Sequence, residues 1–183
     1  MELRGKRVAI LAENNYEDQE LWYPYYRLLE AGADVFVVGT GTSTVYSSKH
    51  GYPVKVDAEA ATVDASQFDL IVIPGGWAPD LMRRSAAMVG LVRQAVEQGR
   101  LVAAICHAGW VLCSANVIRG RRVTSAKSIK DDMVNAGGIW IDKEVVRDGV
   151  VITSRRPADL PAFLRTIVAA LQEARVPATN GSR

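Results

Sequence analysis

Short, uninterrupted apolar runs recur along this 183-residue chain, and segments with helical spacing separate them. Val8-Ala9-Ile10-Leu11-Ala12, Leu70-Ile71-Val72-Ile73 and Leu101-Val102-Ala103-Ala104-Ile105 contain no polar position. A strand with one solvated face alternates apolar and polar residues, so a run without alternation has to be buried on both faces. Residues 34–38 give a further strand. Residues 18–31 place Leu21, Tyr25, Leu28 and Leu29 at helical spacing with Gly32 as the stop, and residues 86–98 form a second helix closed by Gly99. Alternating strands and helices of this kind predict an α/β fold, a mostly parallel sheet with helices on both faces. Ligands of such sheets bind beyond the carboxyl ends of the strands.

The remaining elements are expected as follows. Pro24 falls inside the first helix and predicts a kink or an opened turn. Residues 40–66 have weak periodicity and read as a short β excursion and loop. Residues 108–114 are a helix. Ser128 opens another, with Asp131 as its capping-box partner and Gly137-Gly138 as its end. Asp148-Gly149 joins strands 145–148 and 150–153 in a hairpin. A helix over 159–174, with Pro161 in its first turn, closes one domain spanning residues 1–175, and residues 176–183 are expected to be a frayed tail.

Composition narrows the function classes. A net charge of +2 gives no support to nucleic-acid binding. The two cysteines, Cys106 and Cys113, lie seven apart on one strand-turn-helix unit, so neither a bridge between them nor a disulfide framework is expected. The first residues run into a strand without a signal-peptide apolar segment, and no apolar stretch reaches a membrane span. A soluble protein in the reducing cytoplasm is the expectation.

Three chemically suggestive segments fall at predicted strand ends. Cys106 ends the run 101–105 and begins a helical segment, the arrangement of a nucleophile elbow with Cys in place of Ser. Unpaired N–H groups at the helix start would favour thiolate, so a lowered thiol pKa is expected; the plain alternative is a buried, inert cysteine. Glu17 and Glu13, after the first strand, are the carboxyl groups available to the thiol, although taken alone Glu17 reads first as a first-turn acid favoured by the helix dipole. Gly75-Gly76, after residues 70–73, can bring backbone N–H groups to a substrate as an oxyanion hole requires, or make a plain turn. His107 and His50 are the chain's two histidines, and His50 reads as a surface or interface residue.

These residues sit in motifs that resemble the PfpI-type branch of the DJ-1/PfpI superfamily. The resemblance is carried by Tyr16-Glu17-Asp18-Gln19-Glu20-Leu21, Tyr23-Pro24-Tyr25-Tyr26-Arg27-Leu28, Lys49-His50-Gly51-Tyr52 and Pro74-Gly75-Gly76-Trp77-Ala78-Pro79-Asp80. It continues through Ala104-Ile105-Cys106-His107-Ala108-Gly109, residues 129–137, Thr153-Ser154-Arg155 and Pro157-Ala158-Asp159-Leu160, in unbroken order from about residue 8 to 174. It implies a flavodoxin-like three-layer sandwich and a Glu–Cys–His site, with Cys106 as nucleophile, Glu17 as its carboxyl partner and His107 as the adjacent base. Gly76 and the His107 backbone match the family's oxyanion site. A third acid is implied at Asp80, supplied by the neighbouring subunit, and hence a homo-oligomer, a dimer or hexamer. Asp80 is shorter than the Glu of some relatives. Ala108 replaces a glycine, and Ala126 stands where several relatives have an aromatic residue.

The resemblance further implies action on small α-oxoaldehydes such as methylglyoxal, or on their glycation adducts, without metal or other cofactor. An intracellular cysteine peptidase acting on peptide substrates is the alternative, and a redox-sensing or holdase protein built on Cys106 oxidation is a third. Glutamine amidotransferase chemistry needs a histidine well downstream of the cysteine, and none follows His107.

Overall fold

The computed structural model describes residues 2–173. Both the tail expected over 176–183 and the final residue of the helix expected over 159–174 lie outside that range.

In chain order the elements are β1 (Arg7–Ala12), α1 (Asp18–Glu30), β2 (Asp34–Gly39), β3 (Val45–Ser47), β4 (Pro53–Lys55), β5 (Ala58–Glu59), β6 (Leu70–Ile73), α2 (Ala78–Met82) and α3 (Ala86–Glu97). They continue with β7 (Leu101–Ile105), α4 (Gly109–Ala115), β8 (Arg122–Val123), α5 (Lys130–Asn135), β9 (Ile139–Trp140), β10 (Val145–Asp148), β11 (Val151–Ser154) and α6 (Leu160–Glu173). Seven strands form the main sheet in the order β10-β11-β7-β6-β1-β2-β5. All neighbours are parallel except β10 and β11, which pair antiparallel around the expected Asp148-Gly149 turn. This is the flavodoxin-like α/β fold.

The apolar runs explain the sheet's centre. Every residue of β6 and β7 is buried, as is β1 after Arg7. One helical layer has α1 packed on α6, which covers β7 and β11; the other has α3 packed on α4, with α3 covering β6 and β7. The strand order reverses at β1: the chain runs outward from it to β2 and β5 on one side, then crosses to β6 and β7 on the other. The crevice beyond the ends of β1, β6 and β7 is where such a fold presents a site.

Four expectations change. Residues 78–82 form a short helix, α2, with Pro79 in its first turn, too short for periodicity to reveal. The helix α1 continues through Pro24, so the cost is confined to the one bond Pro24 cannot donate, toward the Glu20 carbonyl. Ser128 does not cap a helix. Lys127–Ile129 is a 3-10 turn, α5 begins at Lys130 without a side-chain cap, and the Ser128 hydroxyl is spent on His107 instead. Asp159 belongs to a 3-10 turn before α6, and its carboxylate holds the Arg155 guanidinium through two bonds of 2.9 and 3.1 Å.

Candidate active site

At the end of β7 the chain turns within one residue. Cys106 has φ +63°, a left-handed conformation that a side chain rarely adopts, and a 3-10 turn over Cys106–Ala108 leads into α4. Strain of this kind costs about 1–3 kcal/mol and survives only where the surroundings impose it. Here the Ala126 N–H donates to the Cys106 carbonyl at 3.1 Å, tying the elbow to the loop before α5. The backbone N–H groups of Gly76 and His107 both reach the Cys106 sulfur.

Gly75 and Gly76 are required by closeness rather than by turn geometry alone. A methyl group on Gly75 would sit 2.5 Å from Glu20 Oε2 and 2.7 Å from Cys106 Cβ. Gly76 has φ +78°, and a methyl group there would meet the Asn15 carbonyl at 2.5 Å. Only glycines let the chain after β6 deliver one N–H, from Gly75, to Glu20 and the next, from Gly76, to the thiol.

The carboxyl group beside the sulfur belongs to Glu20. It is 0% exposed, accepts the Gly75 N–H on Oε2 at 2.8 Å and interacts with the Cys106 side chain, while Oε1 has no hydrogen-bond partner. Burial pushes its pKa up to about 8, so it is protonated at neutral pH and able to donate toward sulfur. Glu17, the carboxyl partner expected from sequence, is displaced from that role. It is the residue that precedes α1, and its carboxylate pairs with the Lys49 ammonium. Its backbone contributes instead, donating to the Gly75 carbonyl at 3.2 Å. Glu13 is structural: it accepts from Asn14 N at 2.7 Å and Thr42 Oγ1 at 2.9 Å, and also from Thr40.

The signal for Glu20 is present in the sequence. Glu20, Pro24 and Leu28 recur every four residues on the buried face of α1, which puts one acid in register with the core. Such a carboxyl has either to find a partner or to stay neutral.

His107 reaches the sulfur despite being the next residue, with Nδ1 3.2 Å from Cys106 Sγ. The positive φ of Cys106 redirects the two side chains toward one another. On the other side Nε2 lies 3.0 Å from Ser128 Oγ, a contact not foreseen from sequence. The ring is flanked by Trp77 and Trp110 at centroid distances of 5.5 and 5.2 Å. Burial, and then the Lys49 charge, lower the pKa of His107, so it is a neutral base at pH 7.

The expected lowering of the thiol pKa is reversed in this environment. Burial, and then the charge of ionised Glu20, push Cys106 up to about 12, against the two N–H donors. Below about pH 8 Glu20 is neutral and the second cause disappears. The thiol proton can then pass to His107 Nδ1, leaving a sulfur anion held by two N–H groups and a carboxylic acid.

Other candidates fall outside this cluster. Asp80, on α2, is 44% exposed and pairs with Arg84, whereas His107 bonds to Cys106 and Ser128. His50 is exposed and bound to Asp18 at 2.6 Å. Cys113, expected in the core, is half-buried against Asp132 and Met133, and burial pushes its thiol up to about 11. Of the two departures from the family pattern, Ala108 is buried and Ala126 lines the pocket. That pocket, of about 370 Å³, opens on Cys106 and is walled by Ser125, Ala126 and Trp140, with Lys127, Asp142, Arg155 and Arg156 completing it. Trp140 is fixed by its Nε1–H bond to Ser125 Oγ at 3.0 Å. Among the described residues no His, Cys, Asp and Glu cluster could hold a metal ion, and no helix is long and apolar enough to cross a membrane.

Known proteins share this sequence pattern and fold. The DJ-1/PfpI family pattern matches residues 6–170. Deglycase PH1704 of Pyrococcus horikoshii is 46% identical over 166 residues, 91% of this chain and 99% of that protein. Drosophila melanogaster DJ-1beta superposes with a TM-score of 0.85 at 32% identity, covering 91% of this chain and 90% of that one. A two-domain protein of Anabaena variabilis, with DJ-1/ThiJ/PfpI-like and ferritin-like domains, gives a TM-score of 0.89 at 40% identity; the match covers 97% of this chain and 52% of that one.

Proposed function

We propose that this chain, which belongs to the DJ-1/PfpI family, is a cysteine enzyme converting α-oxoaldehydes, free or as early glycation adducts, to α-hydroxy acids. The observation that carries the reading is the Cys106 sulfur placed between His107 Nδ1 at 3.2 Å and the buried Glu20 carboxyl group. A sulfur anion adds to the aldehyde carbon, forming a C–S bond and an oxyanion for which the Gly76 and His107 N–H groups beside the sulfur are the nearest donors; from a glycation adduct the amine leaves that carbon, protonated, as the C–S bond forms. A base then moves the proton from the aldehyde carbon to the neighbouring carbonyl carbon, which oxidises the first carbon to a thioester and reduces the second to a carbinol. Water cleaves the thioester, releasing the hydroxy acid and restoring the thiol. The sum consumes one water and needs no external oxidant or reductant. The resemblance to a protein named as a deglycase supports the same substrate family.

Lactate formation from methylglyoxal, without glutathione and in an amine-free buffer, tests this. Wild type is expected to produce lactate and Cys106→Ala none. Equal rates from both proteins would refute it.

One observation favours a peptidase as the second reading. The contact between His107 and the sulfur supplies the Cys-His pair that acyl transfer needs. Cleavage of fluorogenic peptides, lost in Cys106→Ala, would select it. We also propose a homo-oligomer in the cytoplasm, with Asp80 meeting the site of a neighbouring copy, because within one chain its carboxylate is turned to Arg84. Native mass spectrometry showing a monomer would end that proposal.

A further inference from the structure

The pocket over Cys106 has an uneven charge. Lys127, Arg155 and Arg156 line it, and Asp142 is its single acidic lining residue. Arg155 is committed, to Asp142 at 2.6 Å and to Asp159 at 2.9 Å. Lys127 and Arg156 have no carboxylate within 4 Å among the described residues; both instead act through space on Asp142. Beside the pocket, the Lys130 ammonium lies 5.3 Å from the centroid of the Trp140 wall. Four cations therefore face two carboxylates, both of which are engaged with the one guanidinium of Arg155.

An α-oxoaldehyde as small and neutral as methylglyoxal has no use for these cations. A cavity of about 370 Å³ has room for a longer molecule. With its aldehyde carbon at Cys106, its far end lies toward Lys127 and Arg156. Resting on the α-oxoaldehyde reading, we propose that the enzyme's preferred substrates carry an anionic group, carboxylate or phosphate, remote from the aldehyde, and that Lys127 and Arg156 receive it. The chemistry is unchanged: the aldehyde carbon is oxidised to a carboxylate, the adjacent ketone is reduced to a carbinol, and one water is consumed. With 4,5-dioxopentanoate the product is 2-hydroxyglutarate.

Two measurements test this. The first compares kcat/KM for 4,5-dioxopentanoate and its methyl ester, in wild type and in Lys127→Met/Arg156→Met. Removal of two solvent-accessible cations is expected to lower the acid-to-ester ratio about fivefold, and added salt to lower it in wild type. A ratio that is the same in both proteins overturns the proposal. The second needs no turnover: alkylation of Cys106 by iodoacetate is compared with alkylation by iodoacetamide, read on the Cys106 peptide by mass spectrometry. The iodoacetate-to-iodoacetamide ratio is expected to fall about fivefold in the double variant. An unchanged ratio overturns the anion site even if methylglyoxal is turned over. A changed ratio without turnover of any oxoaldehyde keeps the anion site and removes the α-oxoaldehyde reading instead.

Discussion

The Nε2 atom of His107 lies 3.0 Å from the hydroxyl oxygen of Ser128, on the side of the ring opposite the Cys106 sulfur. For Nδ1 to accept the thiol proton, the ring proton has to sit on Nε2, where Ser128 Oγ accepts it. A neutral hydroxyl fixes the tautomer without raising the basicity of the imidazole, in keeping with the lowered pKa of His107. Ser128 is thus a positioning residue. Ser128→Ala is expected to lower kcat by about 3- to 10-fold with little change in KM, the kinetic weight of one hydrogen bond. Ser128→Thr should restore most of it. A KM effect alone, or no rescue by Thr, would assign Ser128 to packing.

Glu20 and Glu17 can be told apart by amide substitution. Glu20→Gln keeps an acceptor for the Gly75 N–H but removes the acid that faces sulfur, and should cost about 10²-fold or more in kcat. Glu17→Gln removes only a part-exposed pairing with Lys49, and its effect should stay within about threefold. Equal losses would return Glu17 to the site. The pH profile carries the same distinction. Wild-type activity needs neutral His107 and protonated Glu20, so it should fall below the lowered pKa of His107 and again above about 8. The alkaline limb should be absent from what activity Glu20→Gln retains.

Glu20 also ties stability to pH. Its folded pKa of about 8 stands above the ordinary 4.5, so between these values the native state holds a proton that the unfolded chain has released. The contribution is complete below about 4.5, shrinks as pH rises, and is lost above 8. Thermal midpoints at pH 5, 6.5 and 8 should therefore decline more steeply in wild type than in Glu20→Gln. Parallel declines would show that Glu20 does not titrate in this window.

How far the sequence foretells this molecule depends on range. β1, β6 and β7 are legible because burial on both faces leaves a local mark, an apolar run without alternation. The elbow at Cys106 is legible for the same reason, since the run ends there. The Glu17 reading fails because a motif places an acid near a strand end but does not say which of two acids, three residues apart, turns inward. The answer lies in the phase of α1, where Glu20 shares a face with Pro24 and Leu28. Ser128 is beyond local reasoning. Its contact with His107 spans 21 residues and belongs to a loop that is also tied to the elbow by the Ala126 N–H on the Cys106 carbonyl.

Gly76 tests whether the N–H donors are as constrained as their geometry indicates. Its φ of +78° and the 2.5 Å approach of the Asn15 carbonyl leave no room for a methyl group. Gly76→Ala has to shift backbone, not a flexible side chain, because the next nearest atoms are Glu17 N and the Tyr16 carbonyl carbon. A loss of about 2 kcal/mol in stability is expected, measured by urea unfolding. The displaced N–H no longer reaches sulfur or oxyanion, so kcat should fall by about 10²-fold. Full activity in a folded Gly76→Ala protein would remove this N–H from the oxyanion role and leave the His107 backbone as its donor.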